Sequence, residues 1–489
     1  MSVADRLTDV RVLCIGDVML DRFVTGHVKR ISPESPVPIL SISGMQAFPG
    51  GAANVARNIA SLGGRCTLAS VVGEDSVARE LIETLHKVDR VRCEFCVSAG
   101  RPTSEKIRFV AQGQHMLRAD AEVTAAVSPA IVSELLSRVE RLAEDQDVMV
   151  LSDYAKGLLT DEVVHACIEI AKRHDLPVVV DPKSIDFRRY AGATVITPNS
   201  KEALDATGID PTDDDRQALA AGNAILANTA VGAVLLTRAH RGMTLVRPEE
   251  PPVHIEASAR EVFDVVGAGD TAIATLALAL GAKLDLAEAA RLANFAAGVV
   301  VGKHGTATVT QTELADEVQR LSRGSLQGLA AKIISAEEAI ELARTWRKDG
   351  FKVGFTNGCF DILHVGHLSI LSFSKQNSGR LVVALNSDAS VKRLKEPGRP
   401  INPEKDRAMV LAALSVVDAV VIFDEDTPLS LIEALNPDVL VKGADYTLEN
   451  IVGAKHVLAH GGKVLTCDLI PGRSTTRMVN VLSGKASNS

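Results

Sequence analysis

The sequence Asp-Val-Val-Gly-Ala-Gly-Asp-Thr occupies residues 264–271 and is followed at once by good helix formers from Ala272 to Leu280. This pattern predicts the end of a strand, a glycine turn and the start of a helix. The first amides of a helix have no partner inside it and carry partial positive charge, so they suit an anion such as a phosphoryl group in transfer. Asp270 would lie beside that anion, placed to accept a proton from an attacking hydroxyl. The alternative is a tight turn in which Asp270 is only an N-cap residue.

The composition limits the classes of protein to which the chain can belong. Its length predicts about three domains. Lys and Arg number 53 against 61 Asp and Glu, and aromatic residues make up only 3%. A mildly acidic chain with few stacking side chains is a poor binder of nucleic acid or of an anionic membrane. We therefore expect no nucleic-acid or membrane partner, and any phosphate must be bound at a local site.

The N-terminus and the cysteines predict a cytoplasmic protein. Residues 1–10 are polar and charged, unlike a signal peptide. The longest uncharged apolar stretch, residues 272–282, is too short to span a bilayer, which needs about 20 residues. Seven scattered cysteines indicate a reducing compartment. Cys93 and Cys96 form a lone CxxC pair with no partner at zinc-finger spacing, which argues against a metal or redox site.

Short apolar runs alternate with helical patterns through the first half. The runs occupy residues 10–15, 66–72, 148–152, 177–180, 195–197 and 234–237. They predict a parallel sheet covered by helices on both faces. Residues 22–43 contain prolines at 33, 36 and 38 and predict instead a small β flap, which residues 106–110 and 115–118 could complete.

Polar residues collect where these strands end. They are residues 152–153, 181–183, 197–199 and 237–238, with Asp17 after the first strand. Ligands of open α/β sheets bind at this edge, so the pattern predicts a cleft lined with acids and bases. Glu202, three residues after Asn199, could hold Mg²⁺ through water, or it could be the acid of a helix capping box.

Gly50 and Gly51 precede a helical pattern that stops at Gly63 and Gly64. The first pair could simply allow close packing of a helix start. Alternatively, its backbone amides and the Asn54 side chain could bind the hydroxyls of a polyol.

Three motifs occur in an order found in one enzyme family: GGAAN at 50–54, NxxE at 199–202 and GAGD at 267–270. With them the chain resembles the ribokinase (PfkB) family of carbohydrate kinases over roughly residues 8–318. The sequence has no GxxxxGK[ST] run, so it is not a P-loop kinase. The resemblance implies an α/β sandwich with a β lid, the use of ATP with Mg²⁺, and Asp270 as base. It also implies an anion hole formed by the amides of Gly267, Ala268 and Gly269.

The same resemblance implies contacts to the two substrates. Residues near ATP and its metal would be Asn199, Ser200, Lys201, Glu202, Thr237, Gly242 and Asn294, with Glu202 holding Mg²⁺ through water. Residues that hold the sugar would be Asp17, Gly50, Gly51 and Asn54. Residues 303–306 occupy the position where relatives often carry nucleotide and monovalent-cation contacts, so K⁺ is a further expected cofactor.

The composition changes between Leu321 and Gly328 to Gly, Ser and Gln, which predicts a linker. Ser335 and Glu338 then have the spacing of a capping box at a helix start. We predict a kinase domain at 1–318, a linker at 319–335 and a second domain at 336–489.

His364 and His367 follow a predicted strand at residues 352–355. Three residues apart at a helix start, the two imidazoles would share a face, and Gly366 would let a ligand approach the backbone. Zinc needs about four ligands, or three and a water, and no third ligand is nearby. We interpret the pair as hydrogen-bond donors to phosphate oxygens, with a purely structural pair as the alternative.

The second half contains further strand patterns at 381–385, 419–423, 439–441 and 463–469, which predict a five-stranded Rossmann-like unit. The basic loop at residues 392–399 could be a solvated face or a triphosphate clamp. The sequence NGCFDILHVGH at 357–367, with Arg407 and a late Ser-Thr-Thr, resembles the cytidylyltransferase-like nucleotidyltransferases. Arg473 replaces the isoleucine that usually precedes Ser-Thr-Thr in that family. The resemblance implies catalytic roles for His364 and His367 and ATP contacts from Thr356, Asn357, Phe360, Asp388, Arg407, Lys442, Ser474 and Thr475.

The order of the two domains, with segments 151–157 and 386–390, resembles the bifunctional heptose kinase/adenylyltransferases of bacterial lipopolysaccharide synthesis. The resemblance implies that ATP phosphorylates D-glycero-β-D-manno-heptose 7-phosphate at O1, giving the 1,7-bisphosphate. The second domain would join heptose 1-phosphate to AMP from ATP, giving ADP-heptose and pyrophosphate. Arg108, Arg118 and Lys183 are candidate ligands of the 7-phosphate. Lids of the kinase family often pair, so a homodimer is expected.

Two other functions stay open on the sequence. One is a kinase fused to a cytidylyltransferase that acts on a polyol phosphate, because HxGH does not reveal the base. The other is a sugar sensor without catalysis, against which the intact Asp270, His364 and His367 argue.

Overall fold

The computed structural model describes residues 4–258, 265–303, 307–322, 326–395, 398–444 and 447–467. The chain folds into two compact units, Met1–Val318 and Gln319–Ser489. The length alone predicted about three domains, and there are two because the first unit is larger than an average domain.

The first unit alternates strands and helices along most of its length. Its strands are β1 (Arg11–Gly16), β2 (Val18–Ile31), β3 (Pro38–Gly51), β4 (Arg65–Val72), β5 (Val91–Val97), β6 (Ser104–Ala111), β7 (Gln114–Ala121), β8 (Val148–Ser152), β9 (Val178–Asp181), β10 (Val195–Ile196), β11 (Val234–Thr237), β12 (Met243–Val246) and β13 (Val253–Ile255). Its helices are α1 (Ala52–Ser61), α2 (Ser76–His86), α3 (Pro129–Ala143), α4 (Asp161–Arg173), α5 (Ser200–Thr207), α6 (Asp215–Asn228), α7 (Ala268–Gly281), α8 (Leu286–Val300) and α9 (Gln311–Ser322).

The main sheet has the strand order β13-β12-β11-β10-β9-β8-β1-β4-β5. The seven strands from β11 to β5 in this spatial order pair in parallel. Strands β12 and β13 add antiparallel pairs at the other edge, beside β11. Along β1, Val12 and Cys14 pack into one buried cluster with α1, α2, α7 and α8, whereas Leu13 and Ile15 pack into another with α3 to α6. Strand residues alternate between faces, so an apolar run is buried on both sides. The predicted α/β sandwich is confirmed.

A second sheet of order β3-β2-β6-β7 forms the β lid. Strands β2 and β3 have 14 residues each and are longer than the short pieces that the prolines suggested. Strand β3 lies at an edge, where proline is tolerated because one side of the strand needs no donor. It therefore continues through Pro49 to Gly51, and α1 begins only at Ala52.

The second unit is a smaller parallel α/β structure. Its strands are β14 (Ile333–Ile334), β15 (Val353–Gly358), β16 (Arg380–Asn386), β17 (Ala419–Phe423), β18 (Val439–Gly443) and β19 (Lys463–Cys467). Its helices are α10 (Leu326–Ala330), α11 (Ala336–Lys348), α12 (Val365–Asn377), α13 (Asp388–Leu394), α14 (Glu404–Ala412), α15 (Leu429–Leu435) and α16 (Ala454–Ala459). The strand order is β14-β17-β16-β15-β18-β19, and every pair is parallel.

The segment predicted as a linker contains α10 and β14. Ile333 and Ile334 pair with β17 and add a sixth strand to the five that the sequence predicted. Leu329 and Ile333 pack against the buried cluster around Leu411. The composition suggested a linker because Gly and Ser precede Leu329 and Ile333. The apolar side chains of Leu329 and Ile333 nevertheless pack within the second unit, which removes them from water.

Two predicted exclusions can be compared with the structure. Within the described ranges, no helix is both long and apolar enough to cross a membrane.

Cys93 and Cys96 lie on β5 but pack into opposite clusters, because residues three apart on a strand face opposite sides. Burial raises the pKa of both thiols to about 11, so neither is a reactive thiolate at neutral pH.

Candidate active sites

A cavity of about 290 Å³ lies at the carboxyl ends of the central strands of the main sheet. Asp153, Asp181, Thr197 and Thr237 end or follow β8, β9, β10 and β11 and line this cavity. Its position agrees with the rule for ligand sites in open α/β sheets. Other predicted residues that line it are Gly51, Asn54, Arg108, Lys183, Asn199, Glu202, Gly267, Gly269 and Asp270.

The start of α7 brings its first turn to the cavity. Gly267 precedes the helix with φ of 83°, a left-handed conformation that glycine adopts without strain. Residues 270–279 of the helix are all buried, which fixes its position. Of the predicted anion-hole residues, Gly267 and Gly269 line the cavity. Ala268 does not, and its amide donates to the Val265 carbonyl at 3.3 Å.

Asp270 is 9% exposed, and both of its carboxylate oxygens accept a hydrogen bond. Asn54 Nδ2 donates to Oδ2 at 2.6 Å, and the Tyr154 hydroxyl donates to Oδ1 at 2.5 Å. Burial raises the pKa of Asp270, while the two hydrogen bonds lower it and the charge of Asp21 raises it. The hydrogen bonds thus favour the ionised form, which is the form that can accept a proton.

Asp17 follows β1, as predicted. Its carboxylate is 5% exposed and accepts hydrogen bonds from the amides of Tyr154, Lys156 and Leu158 at 3.1, 3.1 and 3.3 Å. It does not line the cavity that contains Asp270, and its role as a sugar ligand stays a prediction. Asp21, four residues later, lines the cavity instead.

Asn199 and Glu202 form the capping box of α5, as the alternative interpretation stated. The Asn199 side chain accepts from the Glu202 amide, and Glu202 Oε2 accepts from the Asn199 amide, both at 3.0 Å. Glu202 Oε1 also accepts from Lys183 Nζ at 2.8 Å. Both side chains nevertheless line the cavity, and the role of Glu202 toward Mg²⁺ stays a prediction.

Several predicted residues lie outside the lining of the cavity that contains Asp270. They are Gly50, Ser200, Lys201, Gly242 and Asn294. A Cβ on Gly50 would lie 2.2 Å from Asp21 Oδ2, and one on Gly242 would lie 2.1 Å from the Ile255 carbonyl oxygen. These two glycines are therefore required for close packing.

Ser200, Lys201 and Asn294 make contacts with neighbouring residues. Ser200 Oγ donates to the Thr237 carbonyl at 3.4 Å, and Lys201 forms an ion pair with Asp205 at 2.5 Å. Asn294 donates to the Glu256 carbonyl at 2.8 Å. Each of the three thus has a structural partner beside the site.

In the second unit a cavity of about 580 Å³ lies at the carboxyl ends of β15, β16 and β18. Its lining includes Thr356, Asn357, Phe360, His364, Gly366, His367 and Lys442. His364 precedes α12 as its N-cap, and its ring stacks on that of His367 with centroids 3.9 Å apart. The predicted shared face of the two imidazoles is confirmed.

The surroundings of both imidazoles favour their neutral form. Burial lowers the pKa of His364, and burial together with the charge of His364 lowers the pKa of His367 to about 4. The Nδ1 atoms of both rings are buried and have no hydrogen-bond partner among the residues that the structure describes. A buried polar atom without a partner is costly, so the pair suits a bound polar ligand.

The basic loop contributes only part of the predicted clamp. Lys395 and Arg399 line the cavity, whereas Lys392 and Arg393 do not. Arg393 forms an ion pair with Asp426 at 2.8 Å.

Arg407 and Asp388 do not line the second cavity, and their role as ATP ligands stays a prediction. Arg407 is 2% exposed and donates to the Cys359 and Asn386 carbonyls at 2.6 and 2.9 Å, and to Asp388 at 2.7 Å. It therefore fixes the chain where β15 and β16 end. Ser474 and Thr475 lie outside the described residues.

Each of the two units matches a known protein family. The pfkB family carbohydrate kinase model matches residues 10–313, and the Cytidylyltransferase-like model matches residues 355–478. "Bifunctional protein HldE" of Paramagnetospirillum magneticum is 50% identical over 480 residues, covering 98% of each chain. The protein of that name from Caulobacter vibrioides is 51% identical over 471 residues, covering 96% of each.

The chain belongs to the HldE family of bifunctional proteins. It is a bifunctional enzyme of ADP-heptose synthesis, with a carbohydrate kinase in the first unit and an adenylyltransferase in the second. The sensor without catalysis is thereby set aside.

Solved structures agree with the fold of the HldE kinase unit. Escherichia coli phosphofructokinase-2 in complex with potassium has a TM-score of 0.55 at 20% identity, covering 64% of this chain and 99% of that one. Arabidopsis thaliana ribokinase complexed with ribose and ATP has a TM-score of 0.51 at 19% identity over the same shares. At these identities the likeness shows the fold alone.

Sequence reasoning missed Asp21, Lys106, Tyr154 and Asp181 as individual residues of the HldE kinase cavity. Lys106 could have been found, because it lies two residues before Arg108 on a strand and therefore shares its face. Asp181 lay in a predicted polar strand end. Tyr154 gave no local signal, because its contact with Asp270 depends on tertiary structure.

Proposed function

We propose that the first unit transfers the γ-phosphoryl group of ATP to O1 of heptose 7-phosphate, with Asp270 as the base. The observation that supports this role is the buried carboxylate in the first turn of α7, held by Asn54 and Tyr154 inside the cavity. Asp270 accepts the O1 proton, and the first amides of α7 stabilise charge on the phosphoryl oxygens. An anomeric hydroxyl is more acidic than an ordinary alcohol, which eases proton transfer.

The cavity residues fit Mg²⁺ bound together with ATP. Asp181 and Glu202 offer carboxylate oxygens, which Mg²⁺ prefers. Burial raises the pKa of Asp181, and the charges of Asp270 and Glu202 raise it further, so a cation would relieve repulsion among these acids. When bound, Mg²⁺ neutralises charge on the phosphate oxygens.

The described residues contain no group of three or more His, Cys, Asp or Glu side chains that could hold a metal. This agrees with a cation whose other ligands are water and substrate phosphates. K⁺ stays a prediction, because residues 304–306 lie outside the described part of the chain.

We propose that the second unit needs no general base, because its nucleophile is already a phosphate anion. His364 and His367 donate hydrogen bonds to the phosphate oxygens of ATP during attack on the α-phosphorus. Lys395, Arg399 and Lys442 border the same cavity and supply positive charge for the leaving pyrophosphate.

Product analysis by mass spectrometry tests both assignments on the full chain. With ATP, Mg²⁺ and heptose 7-phosphate we expect the 1,7-bisphosphate, and with ATP and heptose 1-phosphate we expect ADP-heptose and pyrophosphate. Faster release of pyrophosphate with CTP than with ATP would contradict the adenylyltransferase assignment. Reaction of other sugar phosphates but neither heptose would contradict the substrate.

We also propose a homodimer that pairs through the lid sheet. The lid strands expose large apolar side chains, including Ile31 at 67%, Ile42 at 60% and Leu117 at 62%. Exposed apolar patches of this kind mark interaction surfaces. Light scattering should give twice the chain mass of 51.8 kDa, and a monomer mass would contradict the proposal.

Replacing Tyr154 by phenylalanine is expected to shift the acidic limb of the kinase pH profile upward. The change removes a hydrogen bond that lowers the pKa of Asp270, so this pKa rises and less of the base is ionised at a given low pH. We expect a loss of kcat/KM of about tenfold on the acidic limb and a smaller loss at high pH.

Tyr190 provides a matched control for this variant. Its hydroxyl donates to Asp153 at 2.6 Å, an equivalent bond that does not involve Asp270. Tyr190→Phe should leave the acidic limb in place. An equal loss at every pH in Tyr154→Phe would show that Tyr154 acts without changing the pKa of Asp270.

A further inference from the structure

Within the described part of the chain, the kinase cavity contains an ammonium group with no ionic partner. Lys106 lies on lid strand β6, is half-buried and lines the cavity. Among the residues that the structure describes, its Nζ atom forms no ion pair and no hydrogen bond, and its one described contact is with the Tyr154 ring, 5.9 Å from the centroid. A buried charge is costly unless an opposite charge is near, so this position suits an anionic ligand.

Three carboxylates near Lys106 are each paired with another cation. The charges of Asp21, Glu122 and Asp120 raise the pKa of Lys106, and Lys106 in turn lowers the pKa of Asp270. Asp21 pairs with Arg108 at 2.5 Å, and Glu122 pairs with Lys156 at 2.6 Å.

The third acid, Asp120, pairs with Arg118 at 2.9 Å. Of these four cations, Arg108, Lys156 and Arg118 each form an ion pair with a carboxylate, and Lys106 forms none among the described residues. Lys183, another candidate for the sugar phosphate, pairs with Glu202 beside the residues predicted for ATP.

The position of Lys106 also fits the length of the substrate. The Tyr154 side chain lies between Lys106 and Asp270, since its ring faces the ammonium and its hydroxyl bonds the carboxylate. A heptose with O1 at Asp270 and its ring alongside Tyr154 would direct the C7 arm toward the lid. Burial lowers the pKa of Lys106, and a phosphate dianion would favour its charged form.

We propose that Lys106 binds the phosphate group of the incoming heptose 7-phosphate and gives the kinase its preference for a phosphorylated sugar. This inference rests on the kinase function proposed above. Arg108, Arg118 and Lys183 have carboxylate partners of their own, whereas the phosphate would be the first anionic partner of Lys106.

The test compares two substrates on the full-length chain: heptose 7-phosphate and the same heptose without phosphate. In Lys106→Met, we expect kcat/KM for heptose 7-phosphate to fall about 10- to 100-fold, the usual effect of one charge-assisted hydrogen bond. The rate with the unphosphorylated heptose should fall by much less, through the loss of the Lys106 charge that lowers the pKa of Asp270, and the remaining rate shows that the variant is folded. Lys106→Arg should recover part of the loss, since it keeps the charge.

Lys29→Met is the matched control, because Lys29 is an exposed lysine of the same lid sheet that does not line the cavity. It should leave the ratio of the two substrates unchanged. An equal loss for both substrates in Lys106→Met, or the same selective loss in Lys29→Met, would overturn the inference. A wild-type chain that does not phosphorylate heptose 7-phosphate would instead overturn the proposed kinase function.

Discussion

Replacing Asp270 by asparagine is expected to lower kcat for phosphorylation of heptose 7-phosphate by about 10²- to 10⁴-fold, the usual contribution of a general base. Asparagine has nearly the same shape but cannot accept the O1 proton. Asp270 is 9% exposed and receives hydrogen bonds from Asn54 and Tyr154, so its carboxylate is held in one position in the cavity. Initial rates of bisphosphate formation measure the effect.

Two controls separate the base from its neighbours. ADP-heptose formation by the same Asp270→Asn preparation should match wild type, because the second unit carries that reaction. Asp181→Asn removes another carboxylate that lines the cavity. If Asp181 acts toward the cation, the loss of kinase activity in this variant should become smaller as the Mg²⁺ concentration is raised. A Mg²⁺-independent loss in Asp181→Asn together with near-normal Asp270→Asn would move the base to Asp181.

The sequence predicted those parts of the kinase site that depend on local pattern. The glycine turn before Ala272 specifies the start of α7, and apolar runs specify strands whose ends carry Asp153, Asp181 and Thr237. Because parallel strands end at one edge of a sheet, residues far apart in sequence could be assigned to one cleft.

The loop at residues 153–158 could not be predicted in the same way. The amides of this loop donate to Asp17, which lies 137 residues before Tyr154 in the sequence. Ala155 also adopts φ of 54°, which a non-glycine residue rarely does. No local pattern shows that a carboxylate after the first strand accepts these bonds rather than a sugar hydroxyl.

Arg407 illustrates the same limit in the second unit. On the sequence it is a cation near a nucleotide motif, and its long side chain could equally reach a ligand or the backbone. In the structure it is 2% exposed and donates hydrogen bonds to three backbone carbonyl groups and to Asp388. Whether an arginine binds a ligand or its own chain depends on packing between distant segments, which periodicity does not record.

The second large effect is expected in the adenylyltransferase. His367→Ala should lower kcat for ADP-heptose formation by about 10²- to 10³-fold, as the loss of one donor to a developing charge does. The His367 ring packs on Phe360 and His364, with centroids 5.2 and 3.9 Å away, so the donor is held in one orientation. His367→Asn keeps an N–H donor on a shorter side chain and should recover part of the rate.

The pH dependence distinguishes a neutral donor from a charged one. The pKa of His367 in the free enzyme is about 4, so the imidazole is already neutral at pH 6 and stays neutral at pH 8. Because kcat/KM for ATP reports groups of the free enzyme, its wild-type pH profile should show no step near the usual histidine pKa of about 6.5, and protonation should appear only as the pH falls toward 4. A rate that decreases through pH 6.5 in wild type but not in His367→Asn would show that the charged imidazolium is the active form. Near-normal synthesis of ADP-heptose by His367→Ala would remove the residue from the reaction altogether.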